Sequence, residues 1–201
     1  VGSIVINFIN KTLKTKSFRT AKVSFPTYVV DNGGDIDLPN ESWEYKYTDD
    51  LIIFGGGNGQ PQNNNELNIL CQDVIETAQK YSAKFIYTLG GFHTNRVLKN
   101  KPRTYITTTS KELRRQMEKL ELEMTPQKSL ITGFNGLILG FAKKYEIQGI
   151  GMYGELNKPE IPQYRAAISI IKTIEKLTYR KFGSTEELEM LAQEVDQKFR
   201  N

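Results

Sequence analysis

A chain of 201 residues, 38% hydrophobic and 25% charged in both signs, can bury one substantial core, so one globular domain over residues 1–201 is expected and a disordered chain is excluded. The net charge of +4 is mild, with Glu interleaved among Lys and Arg in runs such as residues 111–119, and no basic stripe with aromatics predicts a nucleic-acid partner. The lone Cys71 excludes a disulfide framework and a thiolate metal cluster; with no apolar run near the roughly 20 residues of a membrane helix and no signal peptide, a cytoplasmic protein away from membranes is expected.

From Ser3, the apolar residues Ile4, Val5, Phe8, Ile9 and Leu13 fall on one side at helical spacing, with Ser3 placed to cap. Residues 21–30 read as a strand broken by Pro26, which favours a sheet edge or a strand end. Residues 33–40 read as a surface loop, with Asp31, Asp35 and Asp37 as turn formers. In Trp43-Glu44-Tyr45-Lys46-Tyr47 strict alternation sets the aromatic rings on one strand face.

The short apolar run Leu51-Ile52-Ile53-Phe54 predicts a buried parallel strand running into the glycine turn of residues 55–61. A helix follows with Leu67, Leu70, Cys71, Val74, Ile75, Ala78 and Tyr81 at helical steps, then a buried strand over 84–89 that stops at Gly90-Gly91. After a strand over 103–108, Thr109 and Glu112 form a capping box for a charged helix that turns Leu113, Met117 and Leu120 inward.

A short strand over 129–132 leads through Gly133-Phe134-Asn135-Gly136 to an apolar helix over 137–145, and a strand over 147–153 ends at Gly154-Glu155. The helix after Pro162 carries Ala167, Ile168, Ile171 and Ile174 and stops near Gly183. Ser184 and Glu187 make a second capping box, opening an amphipathic C-terminal helix within residues 184–201 whose Leu188, Leu191, Val195 and Phe199 form one narrow stripe. Alternating strands and helices predict a three-layer α/β fold, a mostly parallel sheet flanked by helices.

Strands that run out into glycines would place a rim at one edge of such a sheet, where ligands bind. Its candidate residues are Gly56, Gly57, Gln60, Gly90, Gly91, His93, Gly133 and Glu155. The bland reading is tight-turn packing, since the third glycine of the dinucleotide fingerprint is missing and no phosphate loop occurs. His93, the one histidine, could meet Glu155 or Arg96, or simply be solvated. One Cys and one His cannot close a zinc site, so no metal and no cofactor are expected, and no catalytic residue is assigned. The stripe of the last helix can pack on its own core or lie in a partner's groove, through Leu191, Val195, Phe199, Arg200 and Asn201.

Taken in order, Val1-Gly2-Ser3-Ile4-Val5-Ile6, Phe25-Pro26, residues 51–61 with their Gly-Gln-Pro ending, Leu89-Gly90-Gly91, Pro102-Arg103, Gly133-Phe134-Asn135-Gly136-Leu137 and Gly151-Met152-Tyr153-Gly154-Glu155 resemble the proteasome assembly chaperone 2 family in its archaeal form. The resemblance implies a nucleoside-phosphorylase-like fold without that enzyme's catalytic set, acting as a homo-oligomer that assists assembly of proteasome α subunits. It also implies a strand and glycine turn preceding Val1, as the missing initial Met suggests. The family's tail motif, a hydrophobic residue, a tyrosine and one more residue, is not matched by Phe199-Arg200-Asn201. The alternative expectation is a small-ligand-binding protein or enzyme of the same fold that uses the glycine rim.

Overall fold

Val5, Phe8 and Ile9 form the buried face of α1 (Gly2–Thr12), as the expected helical spacing requires. The computed structural model describes residues 1–22, 29–38, 42–56, 61, 63–94, 101–126 and 130–199. β1 (Lys16–Lys22) starts ahead of the expected strand, and Pro26 lies outside the described residues. A hairpin, β2 (Val30–Asp31) paired antiparallel with β3 (Ile36–Asp37), reaches into the tract 33–40 expected to be a loop, of which residues 39 and 40 lie outside the described set. The Asp31 carboxylate accepts from Gly34 N at 2.7 Å and Asn32 N donates to Asp35 O at 2.8 Å, which closes the turn through Gly33 and Gly34, both at positive φ.

β4 (Ser42–Thr48) is followed, across Asp49-Asp50, by β5 (Leu51–Gly56). Here the expectation of a parallel strand is overturned: β5 runs antiparallel to β4, and the sheet order is β1-β4-β5 with every pair antiparallel. The connection is the reason, because a two-residue link joins only antiparallel neighbours, whereas a parallel pair needs a crossover of a dozen residues or so. The aromatic face of β4 buries Trp43 and Tyr45 against Ala21 and Leu70, and leaves Tyr47 exposed.

α2 (Asn64–Lys80) is capped by Asn63, whose side chain accepts from Asn65 N, and leads into β6 (Phe85–His93). β7 (Thr104–Thr108) precedes α3 (Lys111–Lys119), whose cap is Ser110, accepting from Leu113 N at 3.1 Å, and not Thr109. Thr109 Oγ1 is engaged elsewhere, by Gly149 N at 2.9 Å. β8 (Glu123–Met124) was not expected. The strand placed over 129–132 is not formed at residues 130–132, and residue 129 is outside the described set; α4 (Gly133–Lys144) starts there directly.

β9 (Gln148–Leu156), α5 (Tyr164–Thr178) and α6 (Glu186–Lys198) complete the chain. α5 ends at Tyr179 in the left-handed region, ahead of Gly183, and Thr185 rather than Ser184 stands at the start of α6, with Glu187 paired to Lys11 across to α1. The second sheet has the order β6-β9-β7-β8, parallel between β6 and β9 and between β7 and β8, antiparallel between β9 and β7. The fold is therefore mixed α/β, not mostly parallel.

Helices cover both faces of β9, which explains its almost continuous burial. On one face Ile150 and Met152 join Val5, Phe8, Ile170 and Ile171 in the largest core, to which Leu188 also belongs. On the other, α2 and α4 bury Cys71, Ile75, Ile138 and Ala142 together, and Leu139 of α4 packs close over Gly149 and Gly151 of β9. Among the described residues no helix is long and apolar enough to cross a membrane.

Candidate functional site

The expected rim is only partly assembled: the ends of β6 and β9 lie together, β5 with Gly56 belongs to the other sheet, and most of the rim glycines lie within strands and not in turns beyond them. Gly90 and Gly91 sit inside β6, opposite Tyr153 and Gly154 of β9. Gly90 faces the Tyr153 ring, and Asn135 of α4 donates from Nδ2 to Leu89 O at 2.9 Å, tying the start of α4 to β6. Gly91 lies against Leu156 and Val1, so α1 begins over the same strand ends. Gly133 opens α4 beside them. Gly56 belongs to the other sheet, at φ +129 with Ser42 O only 2.8 Å from where a Cβ would stand, a position a side chain could not occupy. Gly57 and Gln60 lie outside the described residues, as does Arg96.

These neighbours fill the rim with side chains and backbone. The phenol of Tyr153 is buried on the α4 side with Thr88 as its polar neighbour, and burial pushes its pKa up. Neither the Tyr153 nor the Thr88 hydroxyl has a well-formed hydrogen bond.

Glu155 is 1% exposed and reaches Arg103. Its carboxylate accepts from the Arg103 backbone N at 3.2 Å and from the guanidinium at 3.4 Å, while its own N–H donates to Arg103 O at 2.8 Å. Arg103 also binds Glu123 at 2.6 Å and lies over the Tyr105 ring, so one guanidinium joins β9, β7 and β8. A buried carboxylate needs such a partner. The burial of Tyr105 and the charge of Glu155 push the Tyr105 phenol upward in pKa.

The proposed meeting of His93 with Glu155 does not occur. In the parallel register His93 opposes Leu156 and Glu155 opposes Phe92, which sends the two side chains to opposite faces of the sheet. His93 is exposed at the end of β6.

Immediately past β9 the chain borders a cleft of about 360 Å³ lined by Asn157, Lys158, Ile161, Tyr164, Arg165, Val195 and Phe199. Its floor is the start of α5, where the Gln163 side chain donates to Lys158 O at 2.6 Å and leaves the first amides of the helix without a side-chain cap. Its wall is the last part of α6, held by Arg165 to Asp196 at 2.6 Å. The stripe of α6 thus divides. Leu188 is buried and Leu191 packs on the core, whereas Val195 and Phe199 line the cleft, Phe199 being 47% exposed. Arg200 and Asn201 lie outside the described residues.

Sequence reasoning separated the rim from the last helix, yet the fold brings the end of β9 and the end of α6 to one cleft. Arg165, Asp196 and Lys158 carried no signal, since isolated charges on a helix or loop look alike. Pro102-Arg103 and Asn135 did stand out, but with no role attached. Among the described residues no group of carboxylates, histidines and cysteines could hold a metal ion.

The sequence model of the PAC2 family matches residues 1–201. An uncharacterized protein of Methanocaldococcus jannaschii is 30% identical over 129 residues, 64% of this chain and 46% of its own, so the match spans about half of that relative's length. Among solved structures, Pyrococcus furiosus PbaB, an archaeal proteasome activator, superposes with a TM-score of 0.81 at 22% identity, covering 98% of this chain and 86% of its own. Pyrococcus furiosus PbaA, an archaeal homolog of proteasome-assembly chaperone, gives 0.80 at 20% identity, covering 98% and 79%. At these identities the structural likeness speaks for the fold.

Proposed function

This chain belongs to the PAC2 family, and from that premise we propose that it is a non-enzymatic, chaperone-like protein that assists assembly of proteasome α subunits. The observation that carries the reading is the division of α6: its first turns are anchored in the core, and its last turn presents Val195 and a half-exposed Phe199 at a cleft. An apolar stripe continuing past its own core suits helix-in-groove recognition. The likeness to PbaB, an archaeal proteasome activator, and to PbaA, an archaeal homolog of proteasome-assembly chaperone, supports a proteasome-linked partner. With this reading go a single domain over 1–201, a nucleoside-phosphorylase-like layout, a cytoplasmic location and homo-oligomers.

The test is co-purification with α subunits, using the intact chain and one lacking residues 194–201. Loss of α-subunit capture with an unchanged melting curve is expected, because Leu188 and Ala192, the buried residues of α6, remain. Unchanged capture would sink the role of the helix end.

The second reading, a small-ligand-binding protein or enzyme using the glycine-rich rim at the strand ends, finds its open space in the cleft just past β9, lined by Lys158 and by the start of α5, which lacks a side-chain cap. Phosphate, nucleotides and carboxylate metabolites would then raise the melting temperature, and Lys158→Ala would abolish the rise. No response to any of them would refute that reading.

A further inference from the structure

The β2–β3 hairpin turns an apolar face to solvent. In an antiparallel ribbon opposed residues share a face and alternate residues return to it, so Val29, Asp31, Ile36 and Leu38 lie on one side, and Val30 and Asp37 on the other. Val29, Ile36 and Leu38 are 53%, 66% and 52% exposed. A two-stranded ribbon this short is marginal in water by itself. The hairpin is also acidic: residues 29–38 hold Asp31, Asp35 and Asp37 and no Lys or Arg, in a chain of net charge +4.

The sheet fixes where the hairpin leaves. β1 ends with Lys22 opposite Ser42, the first residue of β4, so the hairpin is joined to the sheet at that end of the pair. At the other end Lys16 opposes Tyr47. There Phe18 holds edge-on contacts with Tyr47 and Tyr81, ring centroids 5.7 and 5.6 Å apart, and Lys80 Nζ lies 5.8 Å from the Tyr81 ring. Tyr47 and Tyr81 are 43% and 51% exposed, so these rings form an open aromatic patch beside Lys16 and Lys80. The nearby Asp73 is already paired with Arg19. Arm and patch are complementary in charge and both apolar, and the end of β1 to which the arm is joined lies about 20 Å from the Lys16 end along the strand at ~3.3 Å per residue.

We propose that the arm docks, through Val29, Ile36 and Leu38, on the Phe18, Tyr47 and Tyr81 patch of a second copy of this chain, with Asp31, on the same face, toward Lys16 and Lys80. The two surfaces differ, so the contact is head-to-tail, and its repetition closes into a ring wherever the rotation allows. The inference rests on the self-association included in the proposed function and names its surfaces. It is independent of α-subunit capture, which uses the far end of α6.

The test is sedimentation velocity of the full chain, followed by disulfide trapping. The wild type sediments as a species larger than 23.0 kDa, and Ile36→Ser with Leu38→Ser weakens the assembly at least tenfold with an unchanged melting temperature. Lys16→Glu with Lys80→Glu has the same effect. On mixing Ile36→Cys chains with Tyr81→Cys chains, a cross-linked pair forms that neither variant forms alone. A wild type that stays monomeric overturns the proposal. So does an oligomer indifferent to the arm variant, which would leave self-association intact but through another surface. Cross-linking of Ile36→Cys chains to one another, without the patch variant, overturns the head-to-tail contact.

Discussion

Gly154→Ala measures how tightly the second sheet is packed against α5. A Cβ on Gly154 would stand 2.7 Å from Ala166 O and 3.0 Å from Ala166 Cβ. The obstacle is the backbone of the first turn of α5, not the tip of a flexible side chain. β9 cannot slide away, because it is hydrogen-bonded to β6 on one side and to β7 on the other. The helix must retreat, loosening Ala167, Ile170 and Ile171 from Met152 and Ile106, all of them buried. Overpacking of this kind costs about 1–3 kcal/mol, and a backbone obstacle places it in the upper half. At roughly 2–4 °C per kcal/mol for a chain of this size, the melting temperature falls by about 4–12 °C. Differential scanning calorimetry reads this directly. The control is Gly140→Ala, in the middle of α4 with nothing within 4 Å of the new methyl, where the same substitution gains about 0.5–1 kcal/mol of helix stability. A Gly154→Ala protein as stable as the wild type would refute the close approach of α5 to β9.

Burial pushes the Cys71 thiol up to about 12 from an ordinary 9.0. The unfolded chain therefore releases that proton first, so this group's contribution to stability is complete below about 9 and is lost as pH rises toward 12, which urea midpoints at neutral and alkaline pH would register. A thiol reagent at neutral pH should label Cys71 only after denaturation; rapid labelling of the native protein would contradict its burial. Tyr45→Phe removes the hydroxyl that donates to Asp73 Oδ2 at 2.6 Å; because Arg19 still pairs with that carboxylate, the expected loss in urea unfolding is about 1–1.5 kcal/mol. Leu188→Ala should cost about 2–4 kcal/mol as a core truncation, while Phe199→Ala should stay within about 1 kcal/mol, as at most surface positions. Equal losses at both would mean that the whole of α6 serves the core.

The helical half of the fold could be read from residue spacing. Val5, Phe8 and Ile9, then Leu67, Leu70, Cys71 and Ile75, then Ile171 and Ile174, recur at three and four residues because one helix face must be buried, and the structure buries them. Caps were placed less closely: Ser110, not Thr109, holds the start of α3, and Ser3 lies inside α1, whose N-cap is Val1 with no side-chain cap. Strand direction was less legible. Leu51-Ile52-Ile53-Phe54 is as apolar as any parallel core strand, since two-sided burial looks the same in either direction, and the short Asp49-Asp50 link was the available clue. The hairpin at β2 and β3 was hidden because its aspartates and glycines also spell a loop.

What the chain's local chemistry determined by itself was the helices and the strands β4, β5, β6, β7 and β9, and the family that their motifs resemble. Tertiary structure decided the rest. The rim glycines and Glu155 look from sequence like one ligand cradle, but side-chain direction depends on register: a single step along β6 and β9 sends His93 and Glu155 to opposite faces, and Arg103, remote in the chain, takes the carboxylate. The stripe of α6 likewise reads as uniform from Leu188 to Phe199. Only the packing of α5 and α6 divides it into a buried half and an open half, because burial depends on what lies opposite and not on the residues that face it.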